Sequence, residues 1–69
     1  MKELGRVIEY NGHYGRIINQ DGKEYILLDK DIMDNNIIQT NDDVSYVPEK
    51  YVDSDIDENI ARFVKKISR

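Results

Sequence analysis

The chain has 69 residues, a formal net charge of −4 and no cysteine. This length allows one domain, residues 1–69, with a small core, and the absence of cysteine excludes a disulfide framework and a thiolate metal site. No apolar run approaches the roughly 18 residues of a transmembrane helix. Lys2 is followed by Glu3 rather than by a signal-peptide pattern. We therefore expect an unanchored protein of the reducing cytoplasm.

The charge is distributed unevenly along the chain. Residues 1–20 carry three bases and two acids, residues 21–58 carry three bases and twelve acids, and residues 59–69 carry four bases and no acid, which gives local charges of +1, −9 and +4. A protein gains affinity for nucleic acid when its Lys and Arg side chains displace the cations condensed on the phosphates. A nucleic-acid surface would therefore be built from the two ends, with the acidic middle turned away.

Three strands joined by two tight turns are predicted for the first part of the chain. The segments Gly5–Tyr10, Tyr14–Asn19 and Glu24–Leu28 are rich in β-branched, aromatic and aliphatic residues. Asn11-Gly12 separates the first two segments, and a Gln-Asp-Gly turn at 20–22 separates the next two. Residues that tolerate a positive φ suit the primed turns of hairpins. The pattern therefore predicts a three-stranded meander.

The middle of the chain is predicted to contain one strand between irregular segments. Residues 29–41 are polar with isolated aliphatic anchors, and we interpret them as a connection with one short helical turn around Lys30–Met33. Alternation over Asp43–Val47 predicts a fourth strand, which Pro48 would end because proline cannot donate a ladder hydrogen bond. The acidic segment Glu49–Asn59 is predicted to be an exposed loop.

The last segment fits two different structures. Ile60, Val64 and Ile67 recur at helical spacing, and acids precede bases. One interpretation is therefore a four-strand meander with a C-terminal helix over residues 55–68. The other is a fifth strand through Ala61–Val64, which closes a barrel and removes the exposed sheet edges. The residue pattern by itself slightly favours the helix.

A series of short motifs runs along nearly the whole chain. They are a glycine–x–valine start, an aromatic–glycine–x–isoleucine segment, a short apolar strand, a valine–x–aromatic segment and a closing alanine–x–x–valine. Their residues are Gly5, Val7, Tyr10, Asn11, Tyr14, Gly15, Ile17, Tyr25–Leu28, Val44, Ser45, Tyr46, Ala61 and Val64. The series resembles the cold-shock domain, a small barrel that binds single-stranded nucleic acid. The resemblance implies an all-β, five-stranded OB-fold or cold-shock-like barrel and so favours the fifth strand.

The chain departs from that family at the positions that bind nucleic acid. The resemblance implies outward aromatic rings that stack on bases, each worth roughly 1–3 kcal/mol. Tyr14 retains one such ring, but Glu9 stands where the family has tryptophan and Arg16 stands at a second aromatic position. Ile26 and Leu28 replace the phenylalanine and histidine of the third strand. These losses prevent tight binding unless other groups replace the rings.

Strand alternation places the replaced positions on one face of the sheet. We expect Tyr14, Arg16, Ile26 and Leu28 on the ligand side and the residues between them in the core. A patch of two aliphatic side chains, a ring and an arginine suits a protein contact, made with a partner or with a second copy of the chain as a homodimer. The further candidate binding residues are Tyr10, His13, Arg6 and Lys23.

Two functions follow as hypotheses. The first is a non-enzymatic, cold-shock-like protein that binds single-stranded RNA or DNA weakly or with altered specificity. The second is an acidic protein–protein interaction module that uses the same face, for example as an inhibitor or nucleic-acid mimic. The family resemblance narrowly favours the first, whereas the charge balance favours the second.

Catalytic and metal chemistry have little support in the sequence. There is no cysteine, no serine–histidine–acid arrangement and no glycine-rich phosphate loop. His13 is the only histidine, and a lone histidine is a poor metal candidate. We therefore expect no enzymatic activity, no cofactor and no metal. The basic residues near the C-terminus are candidates for phosphate contacts: Arg62, Lys65, Lys66 and Arg69.

Overall fold

The computed structural model of the protein describes residues 1–53 and 56–67, without the side chains of residues 53, 56 and 57. Its elements are β1 (Glu3–Tyr10), β2 (Tyr14–Asn19), β3 (Glu24–Leu28), a 3-10 turn (Asp29–Asp31), β4 (Asp43–Asp53) and β5 (Ile56–Lys66). The predicted all-β fold is confirmed, and the alternative with a helix over residues 55–68 is wrong. Among the described residues, no helix has the length and hydropathy needed to span a bilayer.

The five strands form a closed barrel in the order β1-β2-β3-β5-β4, with β4 returning to β1. All neighbouring pairs are antiparallel except β3 and β5, which run parallel and pair at Ile26 and Ile60. A second parallel bridge joins Ile32 to Val64 just beyond β3. This closed five-stranded arrangement is that of an OB-fold-like barrel, in which the face of strands 2 and 3 is the usual binding surface.

The predicted meander is confirmed, and asparagine side chains build both of its turns. In the first turn the Asn11 Oδ1 accepts hydrogen bonds from the backbone N–H groups of His13 and Tyr14, both at 2.9 Å. Gly12 has a φ of 98°, which a glycine adopts without strain. The Asn19 Oδ1 accepts two backbone N–H groups in the second turn in the same way. The first turn sets the start of β2 and therefore the position of Tyr14.

The core lies inside the barrel and draws on all five strands. Its buried hydrophobic residues are Val7, Ile17, Tyr25, Leu27, Ile38, Val44, Tyr46, Ala61 and Val64. The rings of Tyr25 and Tyr46 pack with centroids 5.0 Å apart, and the Tyr46 hydroxyl donates a hydrogen bond to Glu3 Oε1 at 3.2 Å. Burial, and then the nearby Glu3 carboxylate, raise the pKa of Tyr46. The phenol of Tyr46 in the unfolded chain ionises near pH 10. The stability contributed by the buried, protonated Tyr46 is therefore complete below about pH 10 and is lost as the pH rises above it.

The prediction that Pro48 ends the fourth strand is wrong. β4 runs through Pro48 to Asp53, and the segment predicted as an acidic loop, Glu49–Asn59, is mostly a hairpin between β4 and β5. Tyr46 is the last residue of β4 that pairs with β1. Beyond it, at Pro48, the edge of β4 on the side of β1 is free. Proline is tolerated on such an edge because its missing N–H faces away from the ladder. We call residues 49–53 and 56–59 the arm.

A bulge explains why the C-terminal segment lacks the regular alternation of a strand. The register between β4 and β5 shifts between Ser45 and Val47, so β5 carries one extra residue there. Phe63 lies in this bulge with a φ of 52°, and its side chain is exposed. The extra residue puts Ala61 and Val64, three apart, both in the core. The bulge therefore breaks the two-residue alternation of β5, so that Ile60 lies outside the core and Val64, four residues later, lies within it.

The backbones of β2 and β1 pack tightly against each other at Gly15. A Cβ atom at this position would overlap the carbonyl oxygen of Glu9 and lie 2.9 Å from the Cα of Tyr10. Because both neighbours are backbone atoms that cannot move aside, we predict that Gly15→Ala lowers the free energy of unfolding by about 2–4 kcal/mol. Gly12 has open space around it, so Gly12→Ala should cost only the backbone strain of about 1 kcal/mol. Urea unfolding measures the loss of unfolding free energy in both variants, and equal losses would contradict the close packing at Gly15.

Candidate functional site

The predicted orientation of β2 and β3 is confirmed. Gly15, Ile17, Tyr25 and Leu27 are buried, whereas the intervening side chains lie on the outside of the barrel. The outward residues are Tyr14, Arg16, Ile26 and Leu28, which we call the outer face. Tyr14 is 43% exposed, and the two aliphatic residues are half-buried. The structure therefore brings together the four residues that strand alternation predicted to lie on one face of the sheet.

The register joins the outer face to strands on both sides. Tyr14 pairs with Leu28, and Arg16 pairs with Ile26. Arg16 also pairs with Glu9 on β1, and Ile26 pairs with Ile60 on β5. One continuous row of side chains therefore crosses four strands, from a carboxylate through an arginine to two aliphatic residues.

The positive charge of Arg16 is compensated within the chain. Its Nε lies 3.5 Å from Glu9 Oε1, and its Nη1 donates a hydrogen bond to Glu24 Oε1 at 3.3 Å. The hydrogen bond with Glu24, and then one with Tyr14, raise the pKa of Arg16, so it stays charged. Both of these partners are carboxylates, which guanidinium groups bind in charge-assisted pairs. The one arginine of the outer face is therefore committed to the protein itself.

Arg62 is compensated in the same way at the edge of the site. It lies two residues beyond Ile60 on β5, and its Nε donates a 2.7 Å hydrogen bond to Asp31 Oδ1. Its Nη1 contacts the Glu49 carboxylate at 3.3 Å. The Asp31 side chain is only 5% exposed, and no hydrogen-bond partner for its Oδ2 is found among the described residues. Arg62 therefore holds a buried carboxylate in place and has little capacity left for a phosphate.

The prediction that the acidic middle turns away from the basic ends is wrong. Acidic residues of the middle contact basic side chains from both ends, and with Arg62 these include three of the predicted phosphate contacts near the C-terminus. Further pairs are Arg6–Asp43 at 3.4 Å, Lys65–Asp34 at 3.8 Å and Lys66–Asp42 at 3.4 Å. Arg69, another predicted phosphate contact, lies outside the described residues. The opposite charges attract each other, so the fold brings the segments together.

The remaining candidate residues lie around the outer face rather than on it. Tyr10 is half-buried and packs against the core, where burial raises its pKa. His13 lies in the first turn, with its Nδ1 3.7 Å from a carboxylate oxygen of Asp29. The Lys23 Nζ lies 5.6 Å from the centroid of the Tyr25 ring. Arg6 lies beside the start of β4 through its contact with Asp43 and does not join the outer face.

A shallow groove of about 260 Å³ separates β3 from the arm next to the outer face. Its lining residues are Tyr14, Arg16, Glu24, Tyr25, Ile26, Glu58 and Asn59. We call it the β3–β5 groove. It is smaller than the roughly 300–1,000 Å³ typical of small-molecule pockets, so a cofactor is a poor fit. Within the described part of the chain, no group of three His, Asp or Glu side chains is placed to hold a metal ion.

Comparison with known proteins does not assign a family. No protein-family model and no curated protein matches the chain. The resemblance to cold-shock domains therefore stays a prediction from short motifs.

The sequence did not reveal the contribution of β5 to the site. Glu58, Asn59 and Ile60 flank the groove or the outer face, but Glu58 and Asn59 fell in a segment predicted as a loop. Their placement depends on the parallel pairing of β3 with β5, which joins segments more than thirty residues apart. The sequence signal that could have revealed a strand here was the pair of strand-forming residues Tyr51 and Val52 within the acidic segment.

Arg62 and Arg16 differ in what their removal leaves behind. We predict that Arg62→Met lowers the free energy of unfolding by about 2–4 kcal/mol, because the Asp31 carboxylate stays buried without its partner. The double variant Arg62→Met/Asp31→Asn should recover part of this loss. Arg16→Met is the matched control and should lose far less, since its partners are exposed. Chemical denaturation measures all three, and equal losses for the two arginine variants would disprove the structural role of Arg62.

Proposed function

We propose that this protein is a non-catalytic cytoplasmic binding module whose outer face docks on a positively charged surface of a protein partner. The observation that carries this proposal is the pairing of the two arginines of this region, since Arg16 and Arg62 each contact two carboxylates. Phosphate binding depends on cations that are available to the polyanion. Here the surface around the apolar residues is acidic instead.

The apolar part of the outer face supports a protein partner. Ile26, Leu28 and Ile60 are half-buried: Ile26 pairs with Ile60, and Leu28 lies two residues further along β3. Leu28 pairs with Tyr14, which is 43% exposed. Protein interfaces typically combine an apolar, tyrosine-containing centre with a polar rim. Base stacking requires aromatic faces, which aliphatic side chains do not supply.

The acidic rim supports a basic surface on the partner. Glu9, Glu24 and Glu58 flank the apolar residues, whereas Arg16 and Arg62 supply the positive charges of this region. Complementary charge raises the association rate and disfavours partners of like charge. Since the corresponding face of OB-fold barrels binds oligonucleotides, an acidic version fits a protein that occupies the nucleic-acid site of another protein. It would act there as an inhibitor or nucleic-acid mimic.

Weak binding of single-stranded nucleic acid is the second candidate function. Tyr14 favours it, because this exposed ring lies at the start of β2 beside the first turn, where OB-fold barrels bind oligonucleotides. One stacked base contributes roughly 1–3 kcal/mol, whereas even a millimolar Kd requires about 4 kcal/mol. This function is therefore limited to low affinity.

Leu28→Asp tests docking of the outer face. We predict that this variant retains the fold and keeps less than about a tenth of the partner captured by the wild type, because it places a charge in the apolar centre of the interface. Leu4→Asp is the matched control, since Leu4 is 56% exposed and lies on β1 away from this face. Affinity capture from nuclease-treated extract, followed by identification of the partner and its charge, measures the difference.

Two results would contradict the docking proposal. One is equal capture by the two variants. The other is a wild type that sediments as a strict monomer and retains no protein. Sedimentation of the wild type also identifies the case in which the partner is a second copy of the chain.

Removal of the carboxylates that pair with Arg16 tests the second candidate function. We predict that Glu9→Gln/Glu24→Gln strengthens binding to single-stranded oligonucleotides at low salt by a few fold, because it frees the guanidinium for phosphate. Tyr14→Ala should weaken that binding by about fivefold or more if one base stacks on the ring. Fluorescence titration with mixed RNA and DNA oligonucleotides measures both effects. No binding by any variant up to high micromolar concentration would eliminate this function.

A further inference from the structure

The strands on either side of the β3–β5 groove lack ladder partners across it. On β3, Glu24 and Tyr25 pair with β2, and Ile26 is the first residue that also pairs with β5. On the arm, Glu58 and Asn59 pair with β4. In the described residues, the pairing of β3 with β5 therefore starts at Ile26 and Ile60, and the strands separate on the side of the groove.

Two strand edges therefore face each other across the groove. An edge without a ladder partner presents N–H and C=O groups that an added strand can pair with. The groove volume of about 260 Å³ suits a short extended segment rather than a folded element. Extended peptides that add to a sheet edge gain affinity from main-chain hydrogen bonds and specificity from alternate side chains.

We propose that the β3–β5 groove binds an extended, lysine- and arginine-rich peptide segment that adds as a strand to one of these edges. This inference rests on the proposed docking function and names the part of the partner that enters the groove. The same groove is a poor site for a nucleic-acid strand, because Glu24 and Glu58 line it and Arg16 is already paired.

The charges around the groove select the peptide chemistry. Glu24 and Glu58 line its two sides, and Glu9 lies next to Arg16 on the adjacent strand. Glu58 is exposed and has no ion-pair partner among the described residues, so its carboxylate is available to a cation on the peptide. Side chains on an extended segment alternate between two faces. The basic residues on one face of the segment can therefore meet the Glu24 and Glu58 carboxylates on the outside of the barrel.

Three synthetic peptides of ten residues test this proposal. The first alternates lysine and valine, the second alternates glutamate and valine, and the third is the lysine peptide with alternate backbone nitrogens methylated. We expect the lysine peptide to shift the amide NMR signals of Glu24–Ile26 and Glu58–Ile60 in the full chain. The glutamate peptide should shift none of them. The methylated peptide should bind at least about tenfold more weakly, because it cannot form the main-chain ladder.

A charge reversal with a matched control locates the binding. Glu58→Lys should weaken the lysine peptide by about five- to tenfold. Asp21→Lys makes the same change in net charge in the turn between β2 and β3 and should leave the affinity within about twofold. Equal effects of the two variants, unchanged affinity of the methylated peptide, or shifts confined to residues outside the groove would each overturn the proposal.

This experiment separates the failure of the groove from the failure of docking. If no peptide binds but Leu28→Asp still loses the captured partner, the outer face docks a folded surface and the peptide proposal is wrong. If Leu28→Asp keeps the partner, the docking function itself is wrong. If a single-stranded oligonucleotide of eight thymidines shifts the amide signals of Glu24–Ile26 and Glu58–Ile60, the groove binds nucleic acid and the peptide proposal is also wrong.

Discussion

The parallel contact between β3 and β5 is the constraint on which the rest of the structure depends. It closes a sheet that would otherwise end in two open edges, and it seals the core around Tyr25, Tyr46 and Val64. It also brings β5 next to the outer face, so that Ile60 extends the apolar row begun by Ile26. The contact that completes the fold therefore also extends the apolar row of the outer face and leaves the groove at the point where the strands separate.

Charge compensation connects the fold to the function. The chain carries its acids in the middle and many of its bases near the ends, and folding brings these groups into contact. Each exposed pair adds little stability, because solvent screens it. They also place a carboxylate beside cations that a phosphate backbone would need. An acidic, partly apolar surface remains, and this explains why the geometry favours a protein partner although the sequence resembles a nucleic-acid-binding family.

The sequence predicted the structures that depend on neighbouring residues. β2 and β3 have the predicted bounds, because Asn11-Gly12 and the second turn are local signals and the alternation between them is regular. It did not predict the parts that depend on distant partners. Pro48 indicates the end of a strand unless that strand lies at a free edge, and the bulge at Phe63 breaks the alternation by which a strand is recognised. The ion pairs of Arg16 and Arg62 likewise depend on which strands become neighbours.

Pro48 also makes the two sides of the β4–β5 hairpin unequal. On the β4 side the proline removes one N–H group from the edge beyond Tyr46, which interrupts the row of donors that a neighbouring molecule would need for continuous pairing. On the β5 side, residues 56–59 contain no proline. By its lack of one N–H group, the free edge of β4 is a poorer template for an added strand than the edge of β5 that borders the groove.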